Sequence, residues 1–146
     1  MEWIKKRVIE LQEKYKTVDL HELATLLNVI VIPFDLHDEI KGIYKYDRRN
    51  KYIFINSNLS ANEQRVVLAH ELGHAVLHTR SNTKFLRANT LFSINKIEKE
   101  ANIFAAELLI NDDELKEEHH LSLQQIASLH MIPIELIELK RKGLFL

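Results

Sequence analysis

The spacing of hydrophobic positions changes twice along the chain, and each change marks a new kind of element. Ile4, Val8, Leu11 and Tyr15 recur at three- and four-residue steps with Lys and Glu between them, so residues 2 to about 16 are predicted to form an amphipathic surface helix. A second short helix is predicted after Asp19, with Leu20, Leu23, Ala24 and Leu27 as its apolar stripe. From Val29 the pattern shortens. Val29 to Phe34, Gly42 to Tyr46 and Lys51 to Ile55 are brief runs of β-branched and aromatic residues, read as three strands; the turn-forming stretch Asp47 to Asn50 makes the last two a hairpin. Helical spacing then returns. Ser60-Ala61-Asn62-Glu63 has the form of a capping box and opens a helix predicted to run to about His78. A loop is expected from Thr79 to Ser93, then a helix from Asn95 to Ile110, then two or three short helices ending near Gly143. The expected class is a helix-rich α+β domain with a small three-stranded sheet.

Length and composition narrow what such a domain can do. A chain of 146 residues can bury about two thirds of its unfolded surface around one core, so residues 1–146 are expected to form a single domain. Lys plus Arg total 20 against 21 for Asp plus Glu, a formal charge of -1 that provides no basic field for collecting phosphates. Nucleic acid is therefore not the expected partner. The chain has no cysteine, so any metal must be held by His and carboxylate. No stretch approaches the roughly 18 apolar residues of a membrane span, and no membrane partner is expected; the expected location is the cytoplasm.

The chemistry concentrates in His70-Glu71-Leu72-Gly73-His74. Two His four residues apart on a helix project from one face a turn apart, within reach of one tetrahedral Zn²⁺ with Zn–N bonds of about 2.0–2.1 Å. Glu71 lies about 100° round the helix, where it can hold a water rather than the metal. From Val66 to Leu77 every residue except His70, Glu71 and His74 is apolar or Gly, so the helix should be buried. Buried ionisable groups cost several kcal/mol unless paired or metal-bound, and a metal site accounts for all three. The competing reading is a pair of hydrogen-bonded core histidines with a Glu reaching solvent. Gly73 in a helix interior suggests a second backbone close by. His78 lies about 12 Å along the axis from His70, too far to share an ion, and is assigned a packing or hydrogen-bonding role. The extended motif with a third His is absent, since Leu77 and Arg80 occupy the relevant places.

A third ligand must come from elsewhere, and the helix after Asn95 offers Glu98 and Glu100, which flank its core face at similar angles. Glu100 shares its flank with Glu107, which reads as a solvated edge, whereas Glu98 shares its flank with Asn102 and Leu109. Asn102, one turn after Glu98, is placed to orient a ligating His from outside the metal shell. Glu98 is favoured on this ground; the competing reading is an exposed helix charge.

Three segments together resemble the ImmA/IrrE family of metallopeptidases: Tyr52 to Asn56, Leu68 to His74 with Leu77-His78, and Glu98 to Leu109. The resemblance covers nearly the whole chain. It implies a zincin-like minimal metallopeptidase domain of the glutamate-zincin type, and it implies Glu98 as the third ligand. Family members often continue the second Leu with Met-Pro, where this chain has Ile110-Asn111. The resemblance further implies a helix-turn-helix repressor as substrate, cleaved to release a phage, a mobile element or a stress response.

The expected reaction is zinc-dependent peptide hydrolysis, with His70, His74 and Glu98 on the metal and Glu71 as general base, returning the proton to the leaving amine. Tyr44, Tyr46, Tyr52, His119, His120 and His130 all stand open as oxyanion donors. The substrate is expected to add a strand beside the motif helix, at an edge offered by the hairpin Gly42 to Ile55. The alternative class is a zinc-containing regulator that binds a repressor without cutting it; the general base Glu71 argues against it. A third reading takes the helix-turn-helix cadence of Ser122 to Pro133 and the basic Lys140-Arg141-Lys142 as nucleic-acid-binding, but three basic residues are a small electrostatic footprint.

Overall fold

The computed structural model describes residues 1–88 and 95–145, with side chains to residue 142. Helix α1 (Glu2–Tyr15) buries Ile4, Val8 and Leu11, and ends at Lys16, whose left-handed φ of 52° turns the chain out of the helix. Asp19 caps α2 (Leu20–Leu26), its carboxylate accepting from the N–H of His21 and of Glu22. Strand β1 (Val29–Phe34) follows, then the hairpin of β2 (Ile40–Asp47) and β3 (Asn50–Asn56). Arg48 and Arg49, both at positive φ, form its two-residue turn.

Among the described residues the sheet has four strands in the order β1-β3-β2-β4, not three. The extra strand, β4 (Thr83–Leu86), lies in the stretch expected to be loop and pairs antiparallel with β2. Four residues including Lys84 are too short to show a period of two, and the strand exists because β2 offers an open edge. One consequence concerns substrate binding. β2 and β3 are interior strands, flanked by β4 and β1 respectively, so the hairpin presents no free edge and the edges are β1 and β4. The rest of the loop, 89–94, lies outside the described residues.

Helix α3 (Ala61–Leu77) packs across β2 and β3. Ser60 Oγ accepts from the Glu63 N–H at 3.2 Å, but the returning carboxylate takes the Ser60 hydroxyl rather than its backbone N–H, so the box is closed on one side only. Residues Val66 to Ala75 are all buried. Against α3 lies α4 (Lys96–Leu109), and α5 (Asp112–Glu117), α6 (Leu123–His130) and α7 (Ile134–Phe145) complete the helical layer. Two glycines set the distances. A Cβ on Gly42 would stand 2.7 Å from Val67 Cγ1, so this residue lets β2 lie close on α3. A Cβ on Gly73 would stand 3.1 Å from Ala101 Cα and 3.2 Å from Phe104 Cβ, which is the second backbone its position in the helix implied.

Gly73→Ala should therefore destabilise the domain. Alanine gains about 1 kcal/mol of helix propensity, but overpacking a backbone contact costs about 1–3 kcal/mol and must push α4 away. A lower urea midpoint with unchanged slope is the expected result; a higher midpoint would show that α3 and α4 separate freely.

The flank of α4 read as solvated is buried. Glu100 and Glu107 are 5% and 8% exposed, because α3 and α7 cover them. Glu107 pairs with Lys140 of α7 at 2.5 Å, and Lys140 also pairs with Asp112, which binds Lys5 of α1. Angle around α4 cannot reveal this, since it does not say which other helix arrives on each side. Lys140 is thereby committed to an internal ion pair.

Candidate metal centre

The first and second halves of the site come from the two helices that Gly73 holds together. His70, Glu71 and His74 project from α3 and are each at most 1% exposed; Glu98 projects from the first turn of α4 and is 7% exposed. Asn95 caps α4, its side chain accepting from the N–H of Ile97 and of Glu98, which places Glu98 at the helix start.

The structure brings His70, His74 and Glu98 to one point. Glu98 Oε2 lies 3.0 Å from His70 Nε2 and Glu98 Oε1 lies 3.1 Å from His74 Nε2. A tetrahedral ion with bonds of about 2.0–2.1 Å spaces its ligand atoms about 3.3–3.4 Å apart, close to these separations. All three donor atoms lie within 4.8 Å of one another. The His74 contact is too misaligned to count as a hydrogen bond, and both oxygens of buried Glu71 have no hydrogen-bond partner among the described residues. Two imidazole nitrogens and a carboxylate around a common point, beside a carboxylate with no hydrogen-bond partner among the described residues, fit a divalent metal ion.

Each group is held from behind. His70 Nδ1 donates to Asn102 Oδ1 at 2.7 Å, leaving Nε2 as the nitrogen that faces Glu98. Phe85 of β4 stacks on the His70 ring at 3.9 Å between centroids. Tyr44 of β2 stacks on His74 at 6.4 Å, and its hydroxyl donates to the Thr79 carbonyl at 2.5 Å.

The electrostatics follow from burial and charge. Burial pushes the Glu71 carboxyl well above the usual carboxylate range, and the charge of Glu98 adds to the shift. Burial also raises Glu98, but the His70 and His74 imidazoles beside it outweigh this and hold it at about 2. Burial lowers the His74 imidazole against the opposing pull of Glu98. Tyr44 is pushed up to about 12, first by burial and then by Tyr46 and Glu71, so its hydroxyl stays a donor.

Of the six residues left open as oxyanion donors, Tyr44 has its ring against the site. Tyr52 stacks on Phe54, His119 meets His120 edge-on, and His130 pairs with Glu118 at 2.7 Å. Glu100, the rival third ligand, is turned instead to His78, whose Nε2 lies 2.8 Å from Glu100 Oε1. Beside the site, between the first half of α3 and α6, lies a cleft of about 470 Å³ lined by Val66, Val67, Phe85, Ala127 and Met131. It shares Phe85 with the site, and the linear order of the chain carried no sign of it.

An α+β domain with a buried His-Glu-x-x-His helix and a carboxylate from the next helix is of the metallopeptidase class. Comparison with known sequences agrees. The pattern of the IrrE N-terminal-like domain matches residues 20–140. The chain is 51% identical over 139 residues to uncharacterized immunity region protein 2 of Bacillus phage phi105, covering 94% of this chain and 88% of that protein. It is 30% identical over 135 residues to metallopeptidase ImmA of Bacillus subtilis strain 168, covering 89% of this chain and 79% of that protein. The chain belongs to the ImmA/IrrE family of metallopeptidases.

Proposed function

We propose that the chain is a zinc-dependent endopeptidase that cleaves a helix-turn-helix transcriptional repressor. The observation that carries the reading is the meeting of His70, His74 and Glu98 beside a Glu71 carboxylate with no partner. His70 and His74 would each hold the ion through Nε2, and Glu98 through its carboxylate. The ion supplies Lewis acidity, which lowers the pKa of water and polarises a carbonyl.

The remaining work falls to the chain's own residues. Glu71 orients the attacking water and takes its proton as the oxygen adds to the scissile carbonyl carbon. It then gives that proton to the amine nitrogen as the C–N bond breaks. Asn102 keeps His70 Nε2 turned to the centre. An extended peptide adds to the outer edge of β4, where Phe85 leads back to His70. The apolar cleft beyond Phe85 receives a substrate side chain. A repressor substrate is supported by the likeness to a phage immunity-region protein.

The test is incubation of the purified chain with a helix-turn-helix repressor from the same phage or element. Two fragments are expected, lost with a chelator and regained with added Zn²⁺. A repressor that is bound but stays intact with zinc present would favour a non-catalytic regulator and sink the peptidase reading.

A further inference from the structure

The outer ring nitrogen of His74 makes a hydrogen bond that the proposed reaction does not use. Its Nδ1 lies 3.0 Å from Nδ1 of His78, whose Nε2 lies 2.8 Å from Glu100 Oε1. The side chains of His78 and Glu100 are 10% and 7% exposed, so neither is a solvated surface charge. The direction of these bonds propagates inward. Glu100 accepts, so His78 donates from Nε2. A neutral imidazole has one N–H, which leaves His78 Nδ1 as an acceptor. His74 must then donate from Nδ1, and its Nε2 is left with a lone pair facing Glu98.

We infer that His78 and Glu100 form a two-residue relay that fixes the tautomer and ring orientation of His74 for metal binding. Both are positioning residues, and the inference rests on the proposed His70-His74-Glu98 centre. Asn102 does the same for His70 in a single step, so α4 supplies one ligand, Glu98, and the acceptors that end both outer chains, Glu100 and Asn102.

The backbone places His78 for this task. Helix α3 ends at Leu77, and His78 leaves the helical path at φ −132° and ψ 50°. Its carbonyl accepts from the Ser81 N–H at 2.9 Å and from the Ser81 hydroxyl at 2.7 Å. The next residue is pinned as well, since Thr79 Oγ1 donates to Ala75 O and the Thr79 carbonyl accepts from Tyr44. Tyr44 also stacks against the His74 ring itself. His74 is thus held by its stacking partner and by its hydrogen-bond partner, and both are tied to the turn after α3.

The experiment uses the full chain as wild type, His78→Phe, Glu100→Ala, Glu100→Gln and His74→Ala. Zn²⁺ affinity is read by competition with a chromophoric chelator, the His74 tautomer by imidazole ¹⁵N shifts in the metal-free protein, and folding by circular dichroism. Wild type is expected to hold His74 as the Nδ1–H tautomer. His78→Phe keeps the ring volume but removes the acceptor, so His74 should show mixed tautomers and Zn²⁺ affinity should fall about 10–100-fold. Glu100→Ala should fall similarly, while Glu100→Gln keeps an acceptor oxygen and should stay within a few-fold of wild type.

Wild-type affinity in folded His78→Phe and Glu100→Ala, with loss in His74→Ala, would overturn the relay alone. Undiminished affinity in His74→Ala would overturn the metal centre and the relay with it. An Nε2–H tautomer of His74 in the wild type would overturn the relay even if both variants failed to fold.

Discussion

Glu71→Gln should lower the rate of repressor cleavage by about 10²–10⁴-fold and leave the metal content unchanged. Gln has the shape of Glu and fills the same place beside Gly42 and Val67, but it cannot carry a proton from water to the leaving amine. The position makes the substitution clean. Glu71 is fully buried, its two oxygens have no hydrogen-bond partner among the described residues, and burial and the Glu98 charge both disfavour its ionised form. Gln cannot ionise, so the variant is spared the cost of a buried charge beside Glu98 and should fold at least as stably as the wild type. Cleavage at the wild-type rate by a zinc-loaded Glu71→Gln protein would remove Glu71 from the role of base.

The second large effect is expected at Glu98. Alanine there removes a carboxylate within about 3 Å of both His70 and His74, and Zn²⁺ affinity should fall by more than the roughly 100-fold upper limit typical of outer-shell changes. Asn102 should still orient His70, since its contact lies on the opposite ring nitrogen. The measurement is metal content after dialysis together with chelator competition. Full retention of zinc would transfer the third position to another carboxylate. Glu100 would then have to leave His78, so a parallel fall in affinity on Glu100→Ala beyond the relay's range would identify it.

Much of the architecture is legible along the chain because it depends on local periodicity. The stripe Ile4-Val8-Leu11, the Asp19 cap and the three β-rich runs each mark an element through contacts within a few residues, and the structure has each of them. The burial of α3 follows in the same way. A helix apolar on every face except at His70, Glu71 and His74 must lie inside, whatever it packs against.

Tertiary structure alone decided what depends on which elements meet. Strand β4 is four residues long and owes its existence to the free side of β2, so it left no periodic trace, and its addition turned the hairpin from a sheet edge into the sheet's interior. Glu98, Glu100 and Glu107 look alike from their angles on α4. They differ because α3 brings His70 and His74 to the first, the turn after it brings His78 to the second, and α7 brings Lys140 to the third. The pair of His four residues apart, with Glu between, was determined by the sequence, since one helical turn sets their spacing. Its completion was not, because the distance from α3 to α4 is set by the missing side chain of Gly73 against Ala101 and Phe104, a contact between residues far apart in the chain.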